Sequence, residues 1–287
     1  MMRLIENNVP VRFLCRYFSV SPSTYYFWRN NQGCLRLQTK EIIKARIRQL
    51  FKTSKETYGS PRIYQELKAQ GIAVSENTVA KYMNELGLDA RLKKKYRVMT
   101  TDSNHSNPIA PRLFKTECEH TLPTRPHQVL AGDITYLKLG THFIYLAVVL
   151  DLYNREVVGW SMGKTLETSL VLNALDSAMR VVGPNAEVIF HSDRGSQYAS
   201  EAYRKMLRNK DIQPSMSRRG NCYDNAYVES WFASLKKEWI YRSSYKTEDE
   251  LRALVFEYIE IWYNKKRTHS SLGYLSPVEY RNTTTSA

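Results

Sequence analysis

The sequence predicts two parts, an all-α basic region followed by an α/β domain built on a mixed β-sheet. The chain has 287 residues, enough for about two domains of ordinary size. Charge is unevenly divided, since residues 1–126 hold 22 Lys and Arg against 10 Asp and Glu, whereas residues 127–287 hold 20 against 18. Apolar residues recur at helical spacing in the first part and form strand-like runs in the second. The basic part is therefore expected to bind a polyanion.

Composition argues against several classes of protein. A hydrophobic fraction of 43% and a charged fraction of 24% are typical of a folded globular chain rather than a disordered one. The longest apolar run, residues 143–150, is less than half the length of a membrane-spanning helix of about twenty residues. The four cysteines form no CxxC pair, and the spacing of Cys118, His120 and His127 fits no common zinc pattern. We therefore expect a soluble intracellular protein with no membrane segment.

Two helix-turn-helix units are predicted in the basic region. In the first, a helix over residues 11–18 precedes a turn, and Ser21 and Pro22 begin a second helix that reaches residue 29. In the second, a lead helix over residues 40–51 is followed by two helices over residues 60–71 and 76–86.

The second unit is the stronger candidate for DNA recognition. Its last helix is capped by Ser75 and ended by Gly87, and in this geometry the first residues of such a helix face base edges in the major groove. The candidates for these contacts are four polar residues near its N-terminus: Glu76, Asn77, Thr78 and Lys81. The alternative is a plain three-helix bundle whose polar face is only solvated.

A basic run and a linker follow this unit. Residues 91–97 hold five Lys or Arg, among them Lys93, Lys94 and Lys95, and beside a helix-turn-helix unit such a run is expected to contact phosphates. Residues 99–126 hold four prolines and show little periodicity, which predicts a linker. The predicted domains are a DNA-binding region over residues 1–98, a linker over 99–126 and the α/β domain over 127–287.

The order of elements after residue 127 predicts a ribonuclease-H-like fold. Three strands joined by short turns are followed by a helix, a buried strand and further helices, which is the order of this fold, with its mixed five-stranded sheet and flanking helices. The predicted strands cover residues 128–139, 143–152, 156–162 and 188–191, and the predicted helices cover residues 168–182, 200–209, 226–240 and 247–264.

Three acidic residues in this domain are candidates for catalysis. Asp133 lies inside a strand, where a carboxylate is disfavoured and needs a partner. Asp193 follows a strand, and Glu229, separated from it by 35 residues, lies in the first turn of a helix. Taken singly, Asp193 would be equally consistent with an ordinary turn residue. Glu229 would be equally consistent with an acid that the helix dipole favours at a helix N-terminus. Together, three converging carboxylates would suit Mg²⁺, and two such ions would activate an attacking hydroxyl and stabilise the leaving 3′ oxygen of a phosphodiester.

The text around these acids forms several long motifs in a fixed order. They are residues 132–136 (GDITY), 191–198 (HSDRGSQY), 217–226 (SRRGNCYDNA), 228–230 (VES), 263–264 (YN), 267–274 (RTHSSLGY) and 276–277 (SP). These motifs resemble those of DDE transposases of bacterial insertion sequences, of the second-reading-frame (OrfB) type, whose catalytic core is similar to that of retroviral integrases. The resemblance covers nearly the whole chain, because the family also carries a helix-turn-helix unit ahead of its core.

The resemblance implies a Mg²⁺-dependent transposase that cleaves DNA at the ends of the element and transfers a 3′-hydroxyl to a new phosphodiester. Asp133, Asp193 and Glu229 would be the catalytic metal ligands for two Mg²⁺ ions, for which Mn²⁺ substitutes. The implied partners are double-stranded DNA, both terminal inverted repeats and target, and further copies of the chain assembled on it. A circular intermediate and a place at the nucleoid in the bacterial cytosol are implied as well. Because the chain begins close to the first helix-turn-helix unit, we also expect an upstream-frame product as a candidate partner.

Further DNA contacts are implied near the acids. Lys236, two helical turns after Glu229, matches the family's basic residue at the DNA end, and the alternative is a solvated lysine. Three residues beside the acids would orient them or contact DNA: Arg194, Gln197 and Asn225. Arg267 lies in a basic stretch over residues 265–269 that would hold DNA or simply end a helix in solvent.

Two other functions stay open at this point. One is a DNA-binding regulator of transposition with an idle core, against which the intact set of acids speaks. The other is a ribonuclease-H-like nuclease acting on RNA–DNA hybrids, which would leave the basic helix-turn-helix region unexplained.

Overall fold

The computed structural model describes residues 10–30, 35–90, 107–115, 122–183, 187–218 and 225–285. The chain divides into two compact units, residues 1–91 and 92–287. The basic run with Lys93, Lys94 and Lys95 lies outside the described residues, as do Cys118 and His120.

The first unit is all-α, as the sequence predicts. Its helices are α1 (Val11–Tyr17), α2 (Pro22–Asn30), α3 (Leu35–Thr53), α4 (Ser60–Ala69) and α5 (Glu76–Glu85). In α1 only part of the predicted apolar face is buried, since Leu14 and Cys15 are covered but Phe18 stands just past the helix end and is 44% exposed. The lead helix α3 also begins five residues earlier than predicted.

Helices α3, α4 and α5 form one small core, into which each contributes two fully or nearly fully buried side chains: Ile43, Ile47, Ile63, Leu67, Val79 and Met83. The Ser75 hydroxyl accepts a hydrogen bond from the Thr78 backbone N–H at 3.2 Å and so caps α5. Glu85 near the end of α5 pairs with Lys44 of α3 at 2.8 Å. The helix predicted to recognise DNA is therefore capped at its N-terminus and tied to α3 near its C-terminus.

The second unit contains a five-stranded mixed sheet with flanking helices. Its strands are β1 (Val129–Leu139), β2 (His142–Asp151), β3 (Val157–Gly163), β4 (Ile189–Ser192) and β5 (Gln213–Met216). Its α-helices are α6 (Thr168–Val182), α7 (Ser196–Ala199), α8 (Glu201–Asn209), α9 (Ala226–Glu238), α10 (Glu248–Phe256) and α11 (Pro277–Thr285).

The strand order is β3-β2-β1-β4-β5, so β1 is central. Strands β1, β2 and β3 are antiparallel neighbours, whereas β4 runs parallel to β1 and β5 parallel to β4. This arrangement confirms the predicted order of elements. The elements β5, α7 and α11 are absent from the sequence-based prediction, and the predicted helix over residues 247–264 continues beyond α10 as a π-helix (Glu257–Tyr263).

Part of the predicted linker belongs to this second unit. The Leu113 and Phe114 backbone N–H groups donate to the Ser215 hydroxyl at 3.0 and 3.1 Å, and the Met216 N–H donates to the Pro111 carbonyl. Phe114 is fully buried and packs edge-on against His191. Residues 107–115 therefore lie along β5 rather than forming a free connection.

Across the described ranges, no helix combines the length and apolar character needed to cross a bilayer.

Candidate active site

The sheet brings Asp133 and Asp193 together. In the parallel pairing of β1 with β4, Gly132 is the register partner of Ser192. Asp133 is the next residue of β1, and Asp193 is the first residue after β4. Their carboxylates therefore emerge side by side from neighbouring strands. Both line one small cavity, together with Gln197 of α7.

The residue before Asp133 has to be glycine. A Cβ on Gly132 would stand 2.5 Å from the Phe190 ring of β4 and 3.2 Å from the Tyr198 hydroxyl. Both rings belong to the main hydrophobic core. The absent side chain thus lets the core close directly beside the two carboxylates.

Local hydrogen bonds fix both acids. The Asp133 Oδ1 accepts from the N–H of Ile134 at 2.8 Å, and the Asp193 Oδ1 accepts from the N–H of Gly195 at 2.9 Å. The Ser192 hydroxyl donates to the Asp193 carbonyl at 3.0 Å.

Glu229 comes from α9, which packs against β1. It lies in the first turn of that helix, where the helix dipole favours a carboxylate. Burial raises the pKa of the Asp133 carboxyl well above its ordinary value, and the nearby charges of Asp193 and Glu229 raise it further. The Ile134 N–H and the Lys236 ammonium act in the opposite direction but do not cancel these effects. The three predicted acids therefore share one electrostatic environment.

Lys236 stands on the same helix, two turns beyond Glu229. Its Nζ lies 4.4 Å from the centre of the Tyr136 ring, a cation–π contact. Burial lowers the pKa of Lys236 to about 8, and the charge of Asp133 limits that decrease. The structure thus places Lys236 within electrostatic reach of the acids and against the surface of β1.

The three polar residues predicted beside the acids have defined positions. The Arg194 Nε donates to the Ser217 carbonyl at 2.8 Å, which ties the segment after β4 to the segment after β5. The Gln197 Nε2 donates to the Leu166 carbonyl at 3.1 Å. Asn225 is buried at the start of α9, where its carbonyl accepts from the N–H groups of Val228 and Glu229. All three stabilise the segments that carry the acids.

The assignment of Arg267 to a DNA contact has to be corrected. Arg267 is only 5% exposed, and its guanidinium forms two hydrogen bonds to Glu238, from Nε to Oε2 at 2.7 Å and from Nη2 to Oε1 at 2.6 Å. Burial alone would lower the pKa of Arg267, but the bonds to Glu238 raise it above its ordinary value. A guanidinium buried and paired in this way is not available to a DNA phosphate.

The predicted recognition residues of α5 lie on its open side. Glu76, Asn77 and Lys81 are exposed, while Thr78 is half-buried and its hydroxyl lies 2.9 Å from that of Ser75. Val79 and Met83 face the core, as the spacing predicts.

The donors at the acidic site are carboxylate oxygens, the ligands that hard divalent cations prefer. Asp133 is half-buried among like charges, so a bound cation would relieve the unfavourable interactions that raise its pKa. Within the described part of the chain, no three His, Cys, Asp or Glu side chains already gather into a complete metal site. The residues present fit a divalent cation in their chemistry.

Tyr136 and Tyr198 are the last residues of two motifs noted in the sequence, residues 132–136 and 191–198. Their positions against Lys236 and Gly132 are visible only in the structure. Gly132 does carry a signal, since glycine is disfavoured inside a strand unless another group approaches closely.

The fold and the site define a protein in which a helix-turn-helix region is followed along the chain by an integrase-type catalytic core. Residues 123–222 and residues 210–277 each match a family described as "Integrase core domain", and residues 38–96 match the family "HTH-like domain".

Full-length relatives give the family. The chain is 38% identical over 274 residues to the transposase InsF for insertion sequence IS3A of Escherichia coli (strain K12), which covers 95% of this chain and 94% of that protein. It is 40% identical over 268 residues to the insertion element IS600 uncharacterized 31 kDa protein of Shigella sonnei, covering 93% and 97%. The chain therefore belongs to the insertion-sequence transposases related to InsF of IS3, which are enzymes of the polynucleotidyl transferase type.

Solved structures with similar folds are retroviral. The integrase in a simian T-cell lymphotropic virus intasome bound to the PP2A regulatory subunit B56 gamma matches with a TM-score of 0.47 and 14% identity, covering 81% of this chain and 73% of that one. The HTLV-2 integrase catalytic core domain in complex with magnesium matches with a TM-score of 0.44 and 14% identity, covering 55% and 98%.

Proposed function

We propose that this transposase cleaves DNA at the ends of its element and transfers the resulting 3′-hydroxyl to a new phosphodiester, with Asp133, Asp193 and Glu229 as its metal ligands. The observation that carries this proposal is the pairing of Gly132 with Ser192, which sets two carboxylates side by side at the centre of the sheet. Glu229 adds a third acid whose charge acts on Asp133.

The cations proposed for this site are two Mg²⁺ ions, with Mn²⁺ as a substitute. When bound, they would supply activation of the attacking oxygen and stabilisation of the leaving one. The chain supplies the position of the ligands. The N–H groups of Ile134 and Gly195 orient the two aspartates, and the first turn of α9 presents Glu229.

Lys236 is proposed to bind a phosphate beside the acids, with Arg194, Gln197 and Asn225 as supporting residues. The pKa of Lys236 near 8 leaves its ammonium mostly charged at neutral pH. Its contact with Tyr136 limits where the ammonium points, so the positive charge stays close to the carboxylates.

The helix-turn-helix unit is proposed to bind the terminal inverted repeats as double-stranded DNA, through the exposed N-terminal part of α5 and the basic run that follows it. Residues 1–98 would then select the element ends, and residues 127–287, together with the segment 107–115 that lies along β5, would act on those ends and on target DNA. Joining two ends requires at least two copies of the chain on DNA. An upstream-frame product and association with the nucleoid belong to the same proposal.

The test is a strand-joining assay on DNA taken from both flanks of the coding sequence, with Mg²⁺, comparing wild type with Glu229→Gln. The matched control is Glu187→Gln, because Glu187 is a highly exposed acid of the same unit. We expect the Glu229 variant to bind these ends but yield no joined product, while the control joins as the wild type does. Joining by Glu229→Gln would contradict the metal-ligand role. If all three proteins bind the ends and none joins them, the chain is a regulator or needs the upstream product.

The DNA-binding role of α5 has its own test. Lys81→Ala should weaken binding to the element ends and make it less dependent on salt, because each lost phosphate contact reduces counterion release. Lys52→Ala in the last turn of α3 is the matched control, being an exposed lysine on a different helix. Equal binding by all three proteins would remove α5 from the DNA interface.

A further inference from the structure

Lys236 contacts one aromatic side chain, Tyr136, and two further aromatic side chains lie beside Tyr136. Tyr136 and Phe143 lie on the paired strands β1 and β2 with ring centres 5.1 Å apart, in an edge-to-face arrangement. Tyr241 lies in the short helix that follows α9 (Ile240–Arg242). Phe143 is 43% exposed and Tyr241 40% exposed. We call Tyr136, Phe143 and Tyr241 the aromatic patch.

The aromatic patch is held by hydrogen bonds and close packing. The Tyr245 hydroxyl donates to the Lys138 carbonyl at 2.9 Å, which fastens the segment after α9 to β1. Lys138 is in turn the register partner of Phe143. The bond from Tyr245 thus holds the segment that carries Tyr241 beside the strand that carries Tyr136. In agreement with this placement, partial burial raises the pKa of the Tyr241 hydroxyl and the Tyr136 hydroxyl raises it further. Tyr136 is half-buried, so Phe143 and Tyr241 provide the exposed rings of the patch.

The position of the patch indicates its ligand. Lys236 lies over the Tyr136 ring and feels the charge of Asp133, so the patch begins where the reacting phosphate is proposed to bind. Aromatic faces next to a basic residue bind nucleobases by stacking, with little dependence on sequence. A base inside a duplex has both faces covered by its neighbours, so it can use such a surface only after it leaves the stack. A protein partner fits less well, because it would have to bury the Lys236 ammonium at the edge of the patch.

From this placement we infer that the aromatic patch binds an unpaired nucleobase of the DNA strand, next to the phosphate that reacts. The inference rests on the proposed function, and it adds that the end of the element is unpaired at this point. Phe143 and Tyr241 would offer the stacking faces, and Lys236 would hold the adjoining phosphate.

The experiment measures what one base contributes to binding. Two duplexes from an element end each carry a single-nucleotide 3′ overhang, one with a normal base and one with an abasic site. Their dissociation constants are measured with the full chain in EDTA, so no joining takes place and the result does not depend on catalysis. The ratio of the two constants cancels the contribution of the helix-turn-helix unit and of the phosphates.

We expect the wild type to bind the abasic duplex about 5- to 100-fold more weakly, the range found for stacking of one base. In Phe143→Ala and Tyr241→Ala the ratio should fall towards one, and Phe143→Trp should keep it. Phe256→Ala, which removes an aromatic ring 50% exposed on α10, is the matched control and should keep the wild-type ratio.

Three results would overturn the inference. They are a wild-type ratio of one, an unchanged ratio in both alanine variants, or a ratio that falls equally in Phe256→Ala. A change in the mass of the free protein in the alanine variants, with the ratio unchanged, would identify the patch as a contact between copies of the chain. If the ratio behaves as expected but Glu229→Gln still joins DNA, the base-binding inference stands and the proposed catalytic role of Glu229 fails.

Discussion

Buried carboxylates occur in two contrasting settings within the second unit. At the active site, Asp133 lies between Asp193 and Glu229, and the acidic neighbours outweigh the attraction of Lys236. At the other end of α9, Glu238 is only 6% exposed and is matched by the two-pronged guanidinium of Arg267, with the Tyr258 hydroxyl donating a third bond at 3.3 Å. One helix thus carries an acid of each kind, Glu229 in the first setting and Glu238 in the second.

A third acid, Glu156, is intermediate between these two settings. Arg281 donates to both of its oxygens, at 2.9 and 2.7 Å, and the Asn154 amide donates at 2.9 Å. Burial nevertheless raises the pKa of Glu156, so the bonds from Arg281 and Asn154 do not fully offset the cost of burying its charge. The comparison teaches that Glu238 and Glu156 are each matched by an arginine, whereas the proposed catalytic acids keep a charge imbalance that a metal ion would correct.

The comparison requires that Asp133, Asp193 and Glu229, the acids with unbalanced charge, are essential for strand joining. Asp133→Asn keeps the shape of the side chain and removes its charge, so strand joining should fall by more than about 1,000-fold. Binding to the element ends should be retained, because that activity is proposed for the other unit. Gel-based joining assays in Mg²⁺ and in Mn²⁺ measure the first effect, and anisotropy measures the second. Joining within tenfold of the wild type would show that Asp133 is not a metal ligand.

The balanced pair should control stability instead of chemistry. Arg267→Met leaves the Glu238 carboxylate buried without its partner, and removal of one member of a buried pair costs about 3–5 kcal/mol of unfolding free energy. Arg267→Met combined with Glu238→Leu should recover much of that loss, because neither charge is then left alone. Urea denaturation measures both values, with Lys237→Met as an exposed control on the same helix. A double variant no more stable than the Arg267 single variant would contradict the pairing.

Much of this architecture can be predicted from sequence because its cause is local. The helix α6 begins and ends where predicted, since its apolar spacing and the following Gly183 act over neighbouring residues. The three proposed catalytic acids are identifiable because Asp133 contradicts its own strand and because spacing and motif agree around the other two. The order of elements then specifies the sheet.

What sequence does not reveal depends on partners far along the chain. The strand β5 has only four residues, Gln213–Met216, and it is defined by pairing with β4 rather than by alternation. Arg267 reads as one more charge of a basic stretch, since its partner Glu238 lies 29 residues earlier. The place of Phe114 inside the core, within an apparent linker, depends on Ser215 about a hundred residues away.

The charge imbalance also predicts that the three acids lower the stability of the folded protein when no metal is bound. Asp133→Asn in EDTA should be more stable than the wild type by about 1–3 kcal/mol, because it removes a carboxylate that burial and like charges disfavour. Added Mg²⁺ should raise the melting temperature of the wild type and leave the variant unchanged, since only the wild type gains from the cation. Scanning calorimetry with and without Mg²⁺ checks both. A variant less stable than the wild type in EDTA would mean that Asp133 is already compensated within the chain.

The smallest effect separates Glu156 from Glu238. Because burial raises the pKa of Glu156 above its ordinary value of 4.5, the folded protein binds more protons than the unfolded chain between that value and the raised one. Its charge therefore lowers stability as the pH rises through this interval, and the effect is absent below it. Glu156→Gln should consequently gain stability relative to the wild type as the pH rises above about 4.5.

Urea titrations at several pH values measure this difference, and Glu201→Gln is the control of opposite sign. Hydrogen bonding to Arg208 lowers the pKa of Glu201, so its charge stabilises the folded state once the pH exceeds the ordinary pKa. The glutamine variant should therefore become less stable relative to the wild type as the pH rises. Parallel curves for the two variants would contradict the assignment of Glu156 to an under-compensated site. Arg281 would then balance Glu156 as fully as Arg267 balances Glu238, and charge imbalance would be confined to the acids at the centre of the sheet.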